Sequence, residues 1–461
     1  MYKHILNTEN RLSECLNNND DVEKQVQSWY EEFNKILNRS FSKVRISNKQ
    51  KETEVSLLFQ KRTTLIQKLK KEPGNLETIK DKEEVEEKLA SIVGKENREK
   101  IFQNFAKLDQ SEGESFSQGI WDLKKKVFPK VQKAVPAAKR DITGRVITDP
   151  NGLKKLYQET FTHRLRFRPP KQSVADLYEL QENLVMKRLA VTSTVKSPGW
   201  TRCDVINVMK GLKKNKSRDP LGLVNEIFLF ENAGEDLIQS LTMMMNRVKR
   251  TQTIPALFRL RDVTPIFKNK GSRLELDNDR GVFNGTVLNS IFQKLIYKNI
   301  YDPVDQNLTD SNVGARKGRN IRNHCFIVNS VVQEENANKS KSKGVNLLIG
   351  DFKKCFDTMS LPITMNDMYN AGVTDENLNL LYNSNEQSDI SVKTPFGKTE
   401  RVPVKKTVCQ GDVNSPFLCT TQVDSISESH HKALDKYLYK YKNQVKLPPL
   451  YVIVVMRKKY Y

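Results

Sequence analysis

The sequence predicts a mixed α+β fold, and three of its patterns carry that prediction. From about residue 260 onward, short strand-like runs alternate with segments of helical period, as in "RDVTPIFKNKG" followed by "GTVLNSIFQKLIYKNI". The stretch "DISVKTPFGKTERVPVKKTV" holds two alternating runs around Pro395-Phe396-Gly397, the mark of a β-hairpin. Ahead of both, residues 1 to about 135 are rich in lysine and glutamate and poor in glycine, which is a helical pattern. Helices and strands combined in this way define the α+β class.

The elements follow in order. In the N-terminal region "VSLLFQKRTTLIQKL" places Val55, Leu58, Phe59, Ile66 and Leu69 on one helix face, and Pro73-Gly74 close it. A long amphipathic arm is expected, packed on the main body or laid on RNA. "DITGRVITDPNG" (141–152) reads as a small hairpin that turns at Thr143-Gly144, before the helix "LKKLYQETFTHRL". "RFRPPKQS" is a proline-stiffened linker. In "TRCDVINVMKGL", Thr201 and Asp204 have capping-box spacing ahead of the stripe Val205, Val208, Met209 and Leu212. "RDPLG" then turns the chain, "HCFIVNSVVQEEN" is helical by period, and "GVNLLIGDF" reads as an apolar strand. The domains expected are 1–135, helical and basic; 136–200, a linking segment; 201–345; and 346–461.

Charge narrows the function. Lys and Arg outnumber Asp and Glu by 77 to 55, for a net charge of +22. The clusters "DLKKKVFPK", "LKKNKSR", "NKSKSKG", "ARKGRN" and "PVKKT" are dispersed along the chain, which suits a polyanion held on an extended track. A mean hydropathy of −0.61, with "LYVIVVM" the longest apolar run near the C-terminus, leaves no membrane span. Without a secretory signal at the N-terminus, an intracellular protein of cytoplasm or nucleus is expected. Six cysteines without a CxxC read as packed, reduced thiols. A zinc site from Cys409, Cys419, His430 and His431 fits no standard ligand frame.

The segment "LLIGDFKKCFDTM" then raises a chemical question, because Asp351 ends a strand-like run in a basic chain. Joining nucleotides needs in-line attack at a crowded, negatively charged phosphorus, and two Mg²⁺ ions about 4 Å apart meet that need. They require carboxylates on a rigid mount, which a strand end provides. Phe356 would then press on the sugar 2′ position of an incoming nucleotide; the alternative is that Phe356 is core and Asp357 a helix cap.

Five segments resolve the question together: "KNKSRDPLGLVNEIF", "VTPIFKNKGSRLELDNDRGVF", "SNVGARKGRN", "LLIGDFKKCFDTM" and "VCQGDVNSPF". In this order and at about these spacings they resemble the reverse transcriptases of non-LTR (LINE-type) retrotransposons, over roughly residues 200 to 425. The resemblance implies right-hand polymerase fingers over 201–345 and a partial palm over 346–461, behind the helical basic N-terminal region. It makes Asp351 the catalytic, Mg²⁺-binding carboxylate, and Phe356 the aromatic that excludes ribonucleotides. Lys268 and Arg280 would grip the incoming triphosphate, as a point charge and a fork donor. Gln410 and Gly411 would border the nascent base pair. Arg316, Lys317 and Arg319 would contact the template backbone. The partners implied are an RNA template and a DNA primer or target.

The sequence also departs from that family. It expects an adjacent aspartate pair on a following hairpin, yet no Asp or Glu follows Asp435, and the chain's Asp-Asp is Asp20-Asp21. "SRDPLGL" stands where small-Pro-Gly-Asp-Gly is usual, and Asp279 where an aromatic is commoner. Neither the thumb nor the N-terminal endonuclease is recognised. The expectation is therefore a truncated retrotransposon copy with weak or no polymerase activity; the alternative is a non-catalytic, basic RNA-binding remnant.

Overall fold

The computed structural model describes residues 10–17, 21–40, 138–165, 175–337, 355–405 and 408–434, with short runs between 61 and 91 and between 440 and 446. The chain divides into two compact units, one of residues 1–41 with 135–461 and the other of residues 42–134. In the second unit the longest described helical run is 83–88, and Leu65 and Val85 are buried. The amphipathic stretch at 55–69 lies outside the described residues apart from Lys61, Thr64 and Leu65.

The first unit opens with α1 (Arg11–Glu14) and α2 (Val22–Ser40). α2 carries Val26, Trp29, Phe33 and Leu37 on one helical face, and all are buried in the larger core. Trp29 stacks on Phe33 at 4.9 Å, and Phe33 meets Phe228 at 5.5 Å. Residues 1–41 thus belong with 135–461, and α2 packs its apolar face into the larger core of that unit.

β1 (Lys139–Arg140) and β2 (Val146–Ile147) form the small hairpin expected around Gly144, whose φ of 90° suits the turn. α3 (Pro150–Leu165) follows, then α4 (Ala175–Thr192) and α5 (Arg202–Lys210). α5 starts with the complete capping box: the Thr201 hydroxyl accepts from the Asp204 N–H and the Asp204 carboxylate from the Thr201 N–H. α6 (Glu235–Thr251) buries Leu237, Leu241, Met244, Met245 and Val248.

β3 (Leu260–Phe267) and β4 (Asp279–Gly285) pair antiparallel, with Val263 opposite Phe283 and Ile266 opposite Arg280. α7 (Val287–Asn307) is the central helix of the larger core, with Ile291, Phe292, Leu295 and Ile296 fully buried. α8 (Ile321–Ala337), α9 (Cys355–Thr358), α10 (Leu361–Asn370) and α11 (Glu376–Glu386) lead to β5 (Gln387–Thr394). β6 (Gly397–Lys398) and β7 (Val402–Lys405) return antiparallel onto β5, and α12 (Ser415–Leu434) follows. β5 runs parallel to β3, giving a mixed sheet in the order β4-β3-β5-β6 with β7 also on β5. A smaller core of Leu153, Tyr157, Phe161, Val263, Phe283 and Val392 joins α3 to that sheet. The strand expected in "GVNLLIGDF", and Asp351 with it, lies outside the described residues. Among the described residues no helix is long and apolar enough to cross a membrane.

Candidate functional site

Strand alternation decides which side chains of β4 face outward. Asp279 points inward and is buried, while its neighbour Arg280 is exposed. The buried carboxylate is matched by Lys139 of β1, whose ammonium donates to it at 2.6 Å with 1% of the lysine side chain exposed. Lys139 also donates to the Arg273 carbonyl, and Arg164 of α3 to the carbonyls of Asp279 and Leu276. The buried acid is therefore answered by a lysine contributed 140 residues away.

Lys268 follows β3 and is only part-exposed. Its ammonium donates to the Asp277 carbonyl at 2.7 Å and its backbone N–H to the Asn278 carbonyl at 2.8 Å, which closes the end of the hairpin. Lys268 and Arg280 thus share one end of the β3–β4 pair.

Gln410 and Gly411 reach the same strand. The Phe283 N–H donates to the Gln410 carbonyl at 2.9 Å, so this turn sits on the free edge of β4. Gly411 has φ of 127°, and a Cβ there would stand 2.4 Å from the Phe283 carbonyl oxygen. Glycine is required by both backbone conformation and space. Arg280 and Phe283 are three residues apart, roughly 10 Å along a strand. Lys268 and Arg280 stand at one end of the β3–β4 pair, and Gln410-Gly411 docks further along the edge of β4.

Beneath the turn lies a buried polar network. Asp412 accepts from Arg261 Nε at 3.2 Å and Nη2 at 2.8 Å, and from Gln293 Nε2 at 3.0 Å. Arg261 and Asp412 side chains are 1% and 4% exposed, and Arg261 also donates to the carbonyls of Phe258 and Leu260. Gln293 Oε1 accepts from the Val413 N–H at 2.8 Å. The sequence places Asp412 beside Gln410-Gly411, but nothing in it points to Arg261, 151 residues earlier.

The turn "SRDPLGL" also docks on this region. Buried Asp219 accepts from the N–H groups of Leu221, Leu223 and Val287, the last at the start of α7. Burial pushes its pKa up against those bonds.

The basic loop divides in two. Arg316 faces inward: its guanidinium pairs with Asp305 at 2.6 Å and donates to the carbonyls of Asp305, Thr309 and Asn312, with 1% of the side chain exposed. The template contact expected of Arg316 is corrected by this burial, since every guanidinium nitrogen is engaged inside the chain. The Arg316 hydrogen bond also holds the Asp305 pKa below the usual value. Lys317 is exposed, with its ammonium 4.0 Å above the Tyr301 ring, and Arg319 pairs with exposed Asp310 at 2.9 Å. Asp424 of α12 accepts from the Thr309 N–H and hydroxyl and from Asn312, so it anchors this loop. Phe356, in α9, is part-buried against the larger core.

These contacts also test the fit of a metal. Among the described residues no group of three or more His, Cys, Asp or Glu side chains could hold one. Asp219, Asp279, Asp412 and Asp424 are each committed to donors named above. Asp262 is likewise held, by Lys398 at 2.6 Å and Arg401 at 3.0 Å. None of these carboxylates is open to Mg²⁺, and Asp351 lies outside the described residues.

Residues 269–442 match the reverse transcriptase (RNA-dependent DNA polymerase) family. The reverse-transcriptase-type domain so delimited takes in β4, the basic loop, the Asp351 segment, the β5–β7 hairpin and Gln410-Gly411, while Lys268 falls just ahead of it. Such a domain implies nucleic-acid substrates, and enzymes of the family generally use divalent metal ions. No curated protein matches the chain.

Proposed function

We propose that this chain is an RNA-directed DNA polymerase-type protein of non-LTR retrotransposon origin, which holds an RNA template and a DNA primer and extends them weakly or not at all. The observation that carries the reading is the junction at β4. There Gln410-Gly411 docks on the strand that displays Arg280, inside the segment that matches the reverse transcriptase family. In this reading Lys268 and Arg280 face the triphosphate, Gln410 and Gly411 the new base pair, and Lys317 and Arg319 the template backbone. Phe356 screens the sugar.

Asp351 would be the first carboxylate for Mg²⁺. Among the described residues, Asp279 and Asp412 beside the junction are each held by a buried cation. Weak extension is the outcome expected of acids committed in this way. The direct test is primer extension on an RNA template with dNTPs and Mg²⁺. Binding of the template–primer with extension near background is expected. Robust extension that Asp351→Asn abolishes would overturn the claim of weak activity, and failure to bind the template–primer would overturn the reading as a whole.

The observation that favours the second reading, an RNA-binding protein without catalysis, is the same engagement of carboxylates. It differs in one outcome: binding would persist with no dependence of any residual extension on Asp351.

A further inference from the structure

Two of the six cysteines meet although 64 residues separate them. Cys355 Sγ, in α9, lies 3.2 Å from Cys419 Sγ, in α12. A disulfide needs about 2.05 Å between sulfurs, so a small side-chain movement would join them. Cys355 is part-exposed and Cys419 fully buried, so one partner can meet a solute while the other waits behind it. The remaining thiols are placed differently: Cys15 donates to the Arg11 carbonyl, Cys409 lies 3.5 Å from the Ser388 hydroxyl, and Cys203 and Cys325 are on the surface. The two elements joined are also the informative ones. Cys355 comes four residues after Asp351, and α12 begins just after Gln410-Gly411.

We propose that Cys355 and Cys419 form a redox-modification site, at which a peroxide converts the dithiol into a disulfide clasp between α9 and α12. The Cys355 thiolate attacks one peroxide oxygen, the O–O bond breaks, and hydroxide leaves and takes up the proton released by the thiol. The product is a sulfenic acid on Cys355. The Cys419 sulfur then attacks that sulfur as the S–O bond breaks, and the Cys419 proton leaves with the hydroxide as water. Two thiols lose two electrons in total, and one peroxide is reduced to two waters. The order of events follows from the surroundings, since the hydrogen bond with Cys355 and then burial push the Cys419 pKa up and keep it a thiol at the first step. The clasp is independent of whether the chain extends a primer.

The experiment treats the folded full chain with hydrogen peroxide at about one equivalent, blocks remaining thiols, and maps peptides without reduction. The expected result is a cross-linked peptide joining Cys355 to Cys419, reversed by dithiothreitol, with slower hydrogen exchange over Ser415–Ser425 in the oxidised form. In Cys419→Ser the reaction should stop at a sulfenic acid on Cys355 that dimedone traps. A double variant, Cys203→Ser with Cys325→Ser, removes the surface thiols and should cross-link as wild type does, which keeps the test open if Cys419→Ser fails to fold. Retention of both thiols, over-oxidation of Cys355 beside an unreacted Cys419, or a cross-link without slower exchange would each overturn the proposal.

Discussion

The β3–β4 hairpin and the loop at 308–319 are both lysine- and arginine-rich, yet they use their cations in opposite ways. In the hairpin region the buried acids Asp279 and Asp262 are neutralised by cations from elsewhere, Lys139, Lys398 and Arg401, while Arg261 of β3 itself holds Asp412 of the docked turn. Arg280 is left facing outward. In the loop, Arg316 is itself consumed to hold backbone carbonyls together, and only Lys317 and Arg319 remain near the surface. A count of charges therefore overstates the surface offered to a polyanion, and burial decides which cations belong to the scaffold.

The comparison can be broken at several points. Asp412→Ala should have the largest effect, because it leaves Arg261 buried without its counter-charge; a loss of about 3–5 kcal/mol is expected in denaturant unfolding. A loss within the range of surface substitutions would mean the pair does not hold the hairpin side. Gly411→Ala should cost on the order of 2 kcal/mol or more, from a strained φ and displacement of the Phe283 carbonyl. Arg316→Ala should cost about 2 kcal/mol through the carbonyls it abandons. That cost would mark it as scaffold, whereas unchanged stability with weakened template binding would restore it to the interface.

Replacing Lys317 and Arg319 together by alanine should leave stability within about 0.5 kcal/mol. The slope of log affinity for a template–primer against log salt should fall by about two, one for each phosphate contact. A further effect lies away from both regions. Burial raises the pKa of Asp367, in α10, to about 7, against a hydrogen bond from Ser425. The folded state then keeps a proton that the unfolded state releases between the ordinary carboxylate value of about 3.8 and about 7, so stability should fall as pH rises through that window. Asp367→Asn should flatten that part of the curve in thermal unfolding followed across pH.

Much of the architecture was legible because local rules and the tertiary solution agree. The capping box at Thr201 and Asp204, the hairpin around Gly144 and the turn at Pro395-Phe396 all formed where residue type and period placed them. The candidate site was legible in part. Gln410-Gly411 stood out as a motif, but the reason for glycine, a backbone carbonyl of β4, belongs to a strand more than a hundred residues earlier. Arg316 could not be told from Lys317 and Arg319 in "GARKGRN", since adjacent cations look alike until the fold buries one. Asp279 read as a departure from the family because its partner, Lys139, sits ahead of the matched segment. Cys355 and Cys419 showed no motif, since their proximity depends on how α9 meets α12.

Salt-dependent binding of an RNA–DNA template–primer, measured on the wild-type chain beside Arg280→Ala and the Lys317, Arg319 double alanine variant, tests the central claim most directly. The account predicts that wild-type affinity falls linearly on log scales as salt rises, and that each variant lowers the slope while leaving the fold intact. Affinity that ignores salt, or slopes unchanged in both variants, would contradict it.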